Sequence, residues 1–410
     1  MAAQPHAPAA SSFERPQPSE SLAATLQRSV DLKRTAEEQV DWASLRQHAH
    51  AIKKYTIEHL DTVLLEFEQS LRARGATVLW AATREEAVAH VRDICKQHGA
   101  TSVVKGKSML SEEIELNAGL DRAGIAAVES DLGEFIVQLA GQRPSHIVGP
   151  ALHLNRRDVG TIFAEKLGLP FSDDPQALMT AARLHLRRRY FEAGIGITGV
   201  NFAAADTGTI VVVENEGNGG LSASIPPVHV CLMGIEKVIP RLADLPVFLR
   251  LLARAGTGQK LTTYTHYFLG PEDGKQLYCI LIDAGRTRIL ADRRLRESLF
   301  CIRCGACLNV CPVYRRAGGW AYGSAYSGPI GAVVTPLLEG LSAAAQLPFA
   351  STLCGACKQE CPVDIDLPHQ LAYLRQRVVE ETVQPDAAER SLMRAFAFCM
   401  QRLWTYGIAL

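Results

Sequence analysis

Along residues 22–73 the apolar positions recur at three- and four-residue steps. Ile57, Leu60, Val63, Leu64, Phe67 and Leu71 form one face, the spacing of an amphipathic helical segment. Beyond it, short apolar runs alternate with longer amphipathic stretches. Residues 76–80, 102–104, 125–129 and 146–149 read as strands, and 84–97, 112–123, 132–140, 158–167 and 174–192 as helices. This alternation predicts a mostly parallel sheet with helices on its faces. The rhythm breaks after Gly196. Residues 197–203 and 208–213 are two strand-like runs joined at Asp206-Thr207-Gly208, the pattern of a hairpin. Further strands over 228–233 and 278–283 flank a helix over 242–255, and a basic helix over 292–295 leads into a cysteine-rich region. Within that region a Gly-rich loop and a short helix over 333–341 are expected. Residues 1–21, rich in Ala, Pro, Ser and Gln, lack the apolar positions needed for a core and are expected to be disordered.

The cysteines change the picture most. Cys301, Cys304, Cys307 and Cys311-Pro312 read C-x2-C-x2-C-x3-C-P, and Cys354, Cys357 and Cys361-Pro362 read C-x2-C-x3-C-P. Three thiolates two residues apart can each face a different iron of one cube, and the cysteine before proline serves the neighbouring cube. Structural zinc takes four ligands, commonly as two separated pairs, and has no need of this density. Disulfides fit poorly with eleven cysteines and no secretory signal. The crossover rule puts Cys301, Cys304, Cys307 and Cys361 on one cluster and Cys311, Cys354 and Cys357 on the other. The second set is one thiol short, and the position where the pattern would place the missing ligand is Ser351. Three alternatives stay open: a three-iron cluster, a four-iron cluster with an open or non-cysteine ligand, or recruitment of Cys399. Ligation of the clusters, not a large apolar core, is expected to hold residues 296–380 together.

Charge narrows the functional classes. The 43 basic and 43 acidic residues cancel, which does not favour nucleic acid or an anionic membrane surface. No apolar run reaches the length of a membrane-spanning helix, and the N-terminus does not read as a signal peptide. The expectation is a soluble cytoplasmic protein whose membrane association, at the inner face, would run through a partner.

Other motifs are weaker. Gly194-Ile195-Gly196-Ile197-Thr198-Gly199 matches G-x-G-x-x-G but follows a helix and opens a strand, the reverse of a dinucleotide site. Gly106-Lys107-Ser108 resembles the end of a phosphate loop, yet Thr101 stands where its first glycine belongs. Lys105, Lys107 and Ser108 between a strand and a helix remain candidates for holding a carboxylate or phosphate. Asp206, Thr207, Asn215 and Asn218, in polar runs at the ends of one strand, are candidate pocket residues. His146, His153, His229 and His266 read as structural, and Cys95, Cys231 and Cys279 as core.

The segments Val104-Lys105-Gly106-Lys107-Ser108-Met109, Ala205-Asp206-Thr207-Gly208-Thr209-Ile210 and Glu214-Asn215-Glu216-Gly217-Asn218 resemble the LUD domain. Together with the paired cysteine motifs and Tyr322…Gly328-Pro329-Ile330-Gly331-Ala332, they make residues 22–390 similar to the lactate utilization protein B family. The resemblance implies an α/β fold of the NagB/RpiA/CoA-transferase-like group over 22–291. A small, mostly helical ferredoxin-type domain with two [4Fe-4S] clusters would follow over 292–380, and a helical tail over 381–410. It implies an electron-transfer subunit in the oxidation of L-lactate to pyruvate, acting with a cysteine-rich-domain protein and a second LUD-domain protein. Seven motif cysteines are similar to what the family carries, and its members often continue beyond the position of Leu410. The alternative function is a stand-alone oxidoreductase or Lewis-acid iron–sulfur enzyme acting on a small carboxylic acid. No nucleophile with a supporting base is visible, so a carrier is expected more than a self-sufficient enzyme.

Overall fold

The computed structural model describes residues 20–146, 148–381 and 387–401. The tail expected to be disordered, through residue 19, lies outside them, as do parts of the C-terminal tail.

Six parallel strands make the central sheet. They are β1 (Thr77–Ala81), β2 (Ser102–Lys105), β3 (Ala126–Glu129), β4 (Ile195–Gly199), β7 (Val228–Gly234) and β10 (Gln276–Ile282), in the order β1-β10-β7-β4-β2-β3. A second sheet holds β5 (Phe202–Ala204), β6 (Thr209–Glu214), β8 (Val238–Ile239) and β9 (Tyr264–Phe268), in the order β8-β5-β6-β9. The expected hairpin is β5–β6, antiparallel with Phe202 opposite Val211. The run read as one strand over 197–203 divides between the two sheets. β4 and β7 are buried along nearly their whole length, which is why they appear as continuous apolar runs rather than alternating ones.

Local signals set several boundaries. Thr83 Oγ1 accepts from the Glu86 N–H at the start of helix Arg84–Gln97. Asp131 Oδ1 does the same for Glu134 before helix Leu132–Leu139. Such caps satisfy amides that have no partner inside the helix. Three expectations fail. No strand forms over 146–149 among the described residues, because His146 Nδ1 accepts from the Val148 and Gly149 N–H groups and folds the backbone into a turn. The single helix expected over 112–123 is two, Met109–Glu113 and Leu116–Asp121, broken at Glu115 in the left-handed region. Residues 292–295 form a turn between helix Arg286–Ala291 and the 3₁₀ segment Arg296–Phe300.

The cysteine-rich region also carries more apolar core than expected. Phe300, Leu308, Tyr314, Tyr326, Ile330, Val333, Leu347, Ile365 and Leu371 are buried in one cluster with Leu26, Ile52 and Ile57 of the N-terminal helices and Phe202 and Phe248 near the second sheet. Helix Gly328–Glu339, longer than the expected 333–341 segment, is buried over most of its length. The expectation of little apolar core here is therefore corrected: ordinary apolar burial contributes along the whole region. Gly256 marks how close the two parts come, since a Cβ there would lie 2.6 Å from the Cys304 carbonyl oxygen.

Candidate functional site: a cleft that ends at the cysteines

Loops after β2, β4 and β7, at the carboxyl ends of the parallel strands, surround a cavity of about 290 Å³. Open α/β sheets place ligands at this end. Gly106, Lys107 and Ser108 come from the first loop, Thr198 to Asn201 from the end of β4 and the loop after it, and Glu236 and Lys237 from the third. Glu214, Asn215, Glu216 and Asn218 close one side. Arg303, Cys304 and Tyr326 of the cysteine-rich region close another.

The candidates divide accordingly. Lys107, Ser108, Asn215 and Asn218 line the cavity. Lys107 Nζ sits 3.3 Å from Asp131 and donates to the Val148 carbonyl at 3.0 Å. Asn215 Oδ1 accepts from the Thr263 N–H at 2.9 Å and so ties the loop to the approach of β9. Lys105 does not line it. It is buried against Glu129 at 2.9 Å and donates to Ser111 Oγ at 2.8 Å. Burial disfavours its charge, but the Glu129 and Glu134 carboxylates outweigh that and hold it above the usual lysine range. Asp206 and Thr207 are also elsewhere, because they precede β6 whereas Asn215 follows it, and a six-residue strand separates its ends by roughly 20 Å. Asp206 Oδ1 accepts from the Leu242 N–H, and Thr207 Oγ1 bonds Thr209 Oγ1. Both are turn-builders.

Several residues of the site were not among the candidates. Glu214 accepts from the Gly219 and Gly220 N–H groups at 2.6 and 2.8 Å and lies 2.6 Å from His266 Nε2. Deeper in, Arg286 donates to both Glu113 oxygens at 2.9 and 2.7 Å and to Glu236 Oε2 at 2.6 Å. The Tyr326 hydroxyl donates to Glu113 at 2.6 Å. Arg303 lies over the Tyr326 ring, 4.3 Å from its centre. This buried network couples the sheet domain to the cysteine-rich region. Lys237 stands beside it, lowered to about 8 by burial with Arg303 adding to the effect and Glu236 opposing it. The G-x-G-x-x-G run serves packing: a Cβ on Gly196 would fall 1.6 Å from the Ser222 carbonyl oxygen.

Cys301, Cys304, Cys307 and Cys361 surround one small cavity walled by Ile302, Ile330, Val363, Ile365 and Leu367. As free thiols, Cys304, Cys307 and Cys361 are costly to ionise there. Burial and the neighbouring Cys301 push Cys304 up to about 12, and burial pushes Cys361 up to about 11. Backbone N–H groups point at the sulfurs, from Arg303 to Cys301 and from Ile365 to Cys361, both at 3.4 Å. Converging thiols, an apolar wall and amide donors are what an iron–sulfur cluster needs. The N-terminal helices clamp this site. Arg46 donates to the carbonyls of Cys361 and Lys358, both at 2.6 Å, and pairs with Asp364. His50 Nδ1 bonds the Val363 carbonyl, and Lys33 pairs with Glu360.

Cys311, Cys354 and Cys357 form a second group, close enough that Cys354 and Cys311 each disfavour the charge on Cys357. Cys357 is pushed up to about 12, chiefly by burial. Cys354 is exposed, and the Ala356 N–H and the Thr352 side chain hold its thiol below the ordinary range.

The fold and these two cysteine groups define an α/β LUD-domain protein with an attached iron–sulfur domain. The chain matches the LUD domain over residues 64–289 and a 4Fe-4S dicluster domain over residues 297–365. It belongs to the lactate utilization protein B family. It is 44% identical over 370 residues to lactate utilization protein B of Bacillus cytotoxicus (strain DSM 22905 / CIP 110041 / 391-98 / NVH 391-98) and, to the same extent, to that of Bacillus cereus (strain AH820), covering 89% of this chain and 78% of each relative. A solved DUF162 family protein from Deinococcus radiodurans shares 13% identity over 54% of this chain and 98% of its own, at a TM-score of 0.30. No helix among the described residues is long and apolar enough to cross a membrane.

Proposed function

We propose that this chain is the electron-carrying component of an L-lactate oxidation system, with electrons entering at the cleft and leaving at the exposed cysteine group. One observation carries this reading: Cys304 belongs both to the cavity of the buried cysteine group and to the wall of the cleft in the LUD domain, while Cys354 of the other group faces solvent. Cys301, Cys304, Cys307 and Cys361 would hold one [4Fe-4S] cluster, and Cys311, Cys354 and Cys357 the other. Such clusters supply one-electron transfer when bound. The residues of this chain orient that exchange. Arg303 and Lys237 place positive charge beside the cleft end of the first site, suited to the carboxylate of a small organic acid or to an acidic group on a partner. The apolar wall excludes water from the buried group. A cysteine-rich-domain protein and a second LUD-domain protein are the expected partners, and a respiratory carrier the expected destination.

Anaerobically reconstituted protein should show two reducible centres by electron paramagnetic resonance. Alone, with lactate and an artificial acceptor, it should not turn over, and it should do so once its partners are added. Steady turnover by the purified chain would replace this reading with the stand-alone enzyme, which the polar cleft beside Cys304 also favours.

A further inference from the structure

The two cysteine groups share one backbone template. In the first, Arg303 (φ 61°) and Gly305 (φ 83°) flank Cys304 in the left-handed region, and a short helix starts at Ala306. In the second, Leu353 (φ 55°) and Gly355 (φ 85°) flank Cys354, and a short helix starts at Ala356. Arginine and leucine adopt such a φ only when something local requires it. In this register Cys304 corresponds to Cys354, Cys307 to Cys357 and Cys311 to Cys361. Cys301 corresponds to Ser351.

The correspondence includes the hydrogen bond that sets the ligand's direction. The Arg303 N–H donates to Cys301 Sγ at 3.4 Å, and the Leu353 N–H donates to Ser351 Oγ at 3.1 Å. A serine oxygen thus occupies the place where the template puts a ligand sulfur. The loop bearing it is held from outside. Arg375 donates to the Pro348 carbonyl at 2.8 Å and to the Ser351 carbonyl at 2.6 Å, and its guanidinium lies over Phe349 at 5.4 Å. Cys95, Cys231 and Cys279 cannot substitute, since all three are buried in the sheet domain; recruitment of Cys399 instead would leave no oxygen-ligated iron and would overturn the inference below.

We infer that Ser351 Oγ is the fourth ligand of the second iron–sulfur cluster, beside Cys311, Cys354 and Cys357. The inference rests on the two-cluster reading above. On ligation the Ser351 O–H bond breaks, an oxygen–iron bond forms, and the proton leaves to solvent. No electron changes hands. Alkoxide is a harder donor than thiolate, so it favours ferric iron and keeps this centre at a lower potential than an all-cysteine site would have.

The test is Mössbauer and electron paramagnetic resonance spectroscopy, with iron analysis, on the anaerobically reconstituted full chain and on Ser351→Cys and Ser351→Ala. The wild type should contain about eight irons, one of them with an oxygen-ligated signature. That signature should vanish in Ser351→Cys, with the iron retained and the midpoint potential of the second centre moved upward. Ser351→Ala should lose that iron and show a three-iron signal. Retention of the distinct iron in Ser351→Ala would overturn the inference in favour of a solvent ligand, as would its persistence in Ser351→Cys. A wild type with a three-iron second centre would also overturn it. Should Ser351→Ala fail to assemble, the wild type and Ser351→Cys still decide the matter. About four irons or fewer in the wild type would instead overturn the two-cluster reading itself.

Discussion

The two cysteine groups are built on the same local backbone yet live in different surroundings. Cys301, Cys304, Cys307 and Cys361 lie against an apolar wall, under two N-terminal helices that hold the Cys361 segment through Arg46, His50 and Lys33. The other group opens to solvent at Cys354 and carries Ser351 where its counterpart has Cys301. A short motif specifies how a loop wraps a ligand. Burial, clamping and nearby charge, which differ between the two groups, set how tightly a centre is kept and how easily electrons reach it.

The largest expected effect comes from breaking the two sites separately. Cys304→Ala should remove about half of the iron and abolish electron flow. It should also lower the thermal midpoint, because an emptied pocket remains beneath the clamp. Cys354→Ala should stop electron flow equally while leaving the midpoint nearly unchanged. Calorimetry with iron analysis on both variants checks this, and equal loss of stability would show that the two surroundings do not matter.

Next is the network joining the buried group to the sheet. Arg286→Ala strands Glu113 and Glu236 without their shared cation. Removing one partner of a buried ion pair costs about 3–5 kcal/mol, readable as a drop in the urea midpoint. Arg46→Ala should cost less, about 1.5–3 kcal/mol for hydrogen bonds from a charged donor. It should also make the buried site lose iron faster, leaving the solvent-facing one unaffected.

Metal removal gives a comparison without mutation. A chelator or oxygen should strip the second centre before the first, seen as loss of one paramagnetic signal ahead of the other. The smallest effect concerns the apoprotein. The Cys354 thiol is held below the ordinary range, so its reactive thiolate forms at lower pH than usual; Cys357, at about 12, and Cys361, at about 11, stay protonated through neutral pH. Alkylation followed by mass spectrometry from pH 6 to 9 should therefore modify Cys354 first, its rate levelling off before the others begin to rise.

Much of this molecule is legible in its residues. The alternation of short apolar runs with amphipathic stretches identifies the parallel sheet because each element must bury one face, and the spacing of Cys301 to Cys311 identifies the cluster loop because ligation is local. Helix Arg84–Gln97 falls where its periodicity puts it. The errors share one cause. Lys105, Asp206 and Thr207 have the chemistry of ligand-binding residues, but Lys105 is used up by Glu129 and the other two stand at the far end of β6. Lys237 and Arg286, which face the cleft, sit in unremarkable sequence.

Sequence alone determined most of the element types, the cysteine spacing of an iron–sulfur domain, and the serine that breaks the repeat, since all of these depend on neighbours within a few positions. Tertiary structure decided the rest. It brought Lys33, Arg46 and His50 onto the Cys361 segment, opened the LUD cleft onto Cys304, and exposed Cys354 of one cysteine group while leaving no thiol of the other fully exposed. Those outcomes depend on contacts between residues hundreds of positions apart, where exposure and electrostatic environment are properties of the packed molecule and are written in no single segment of the chain.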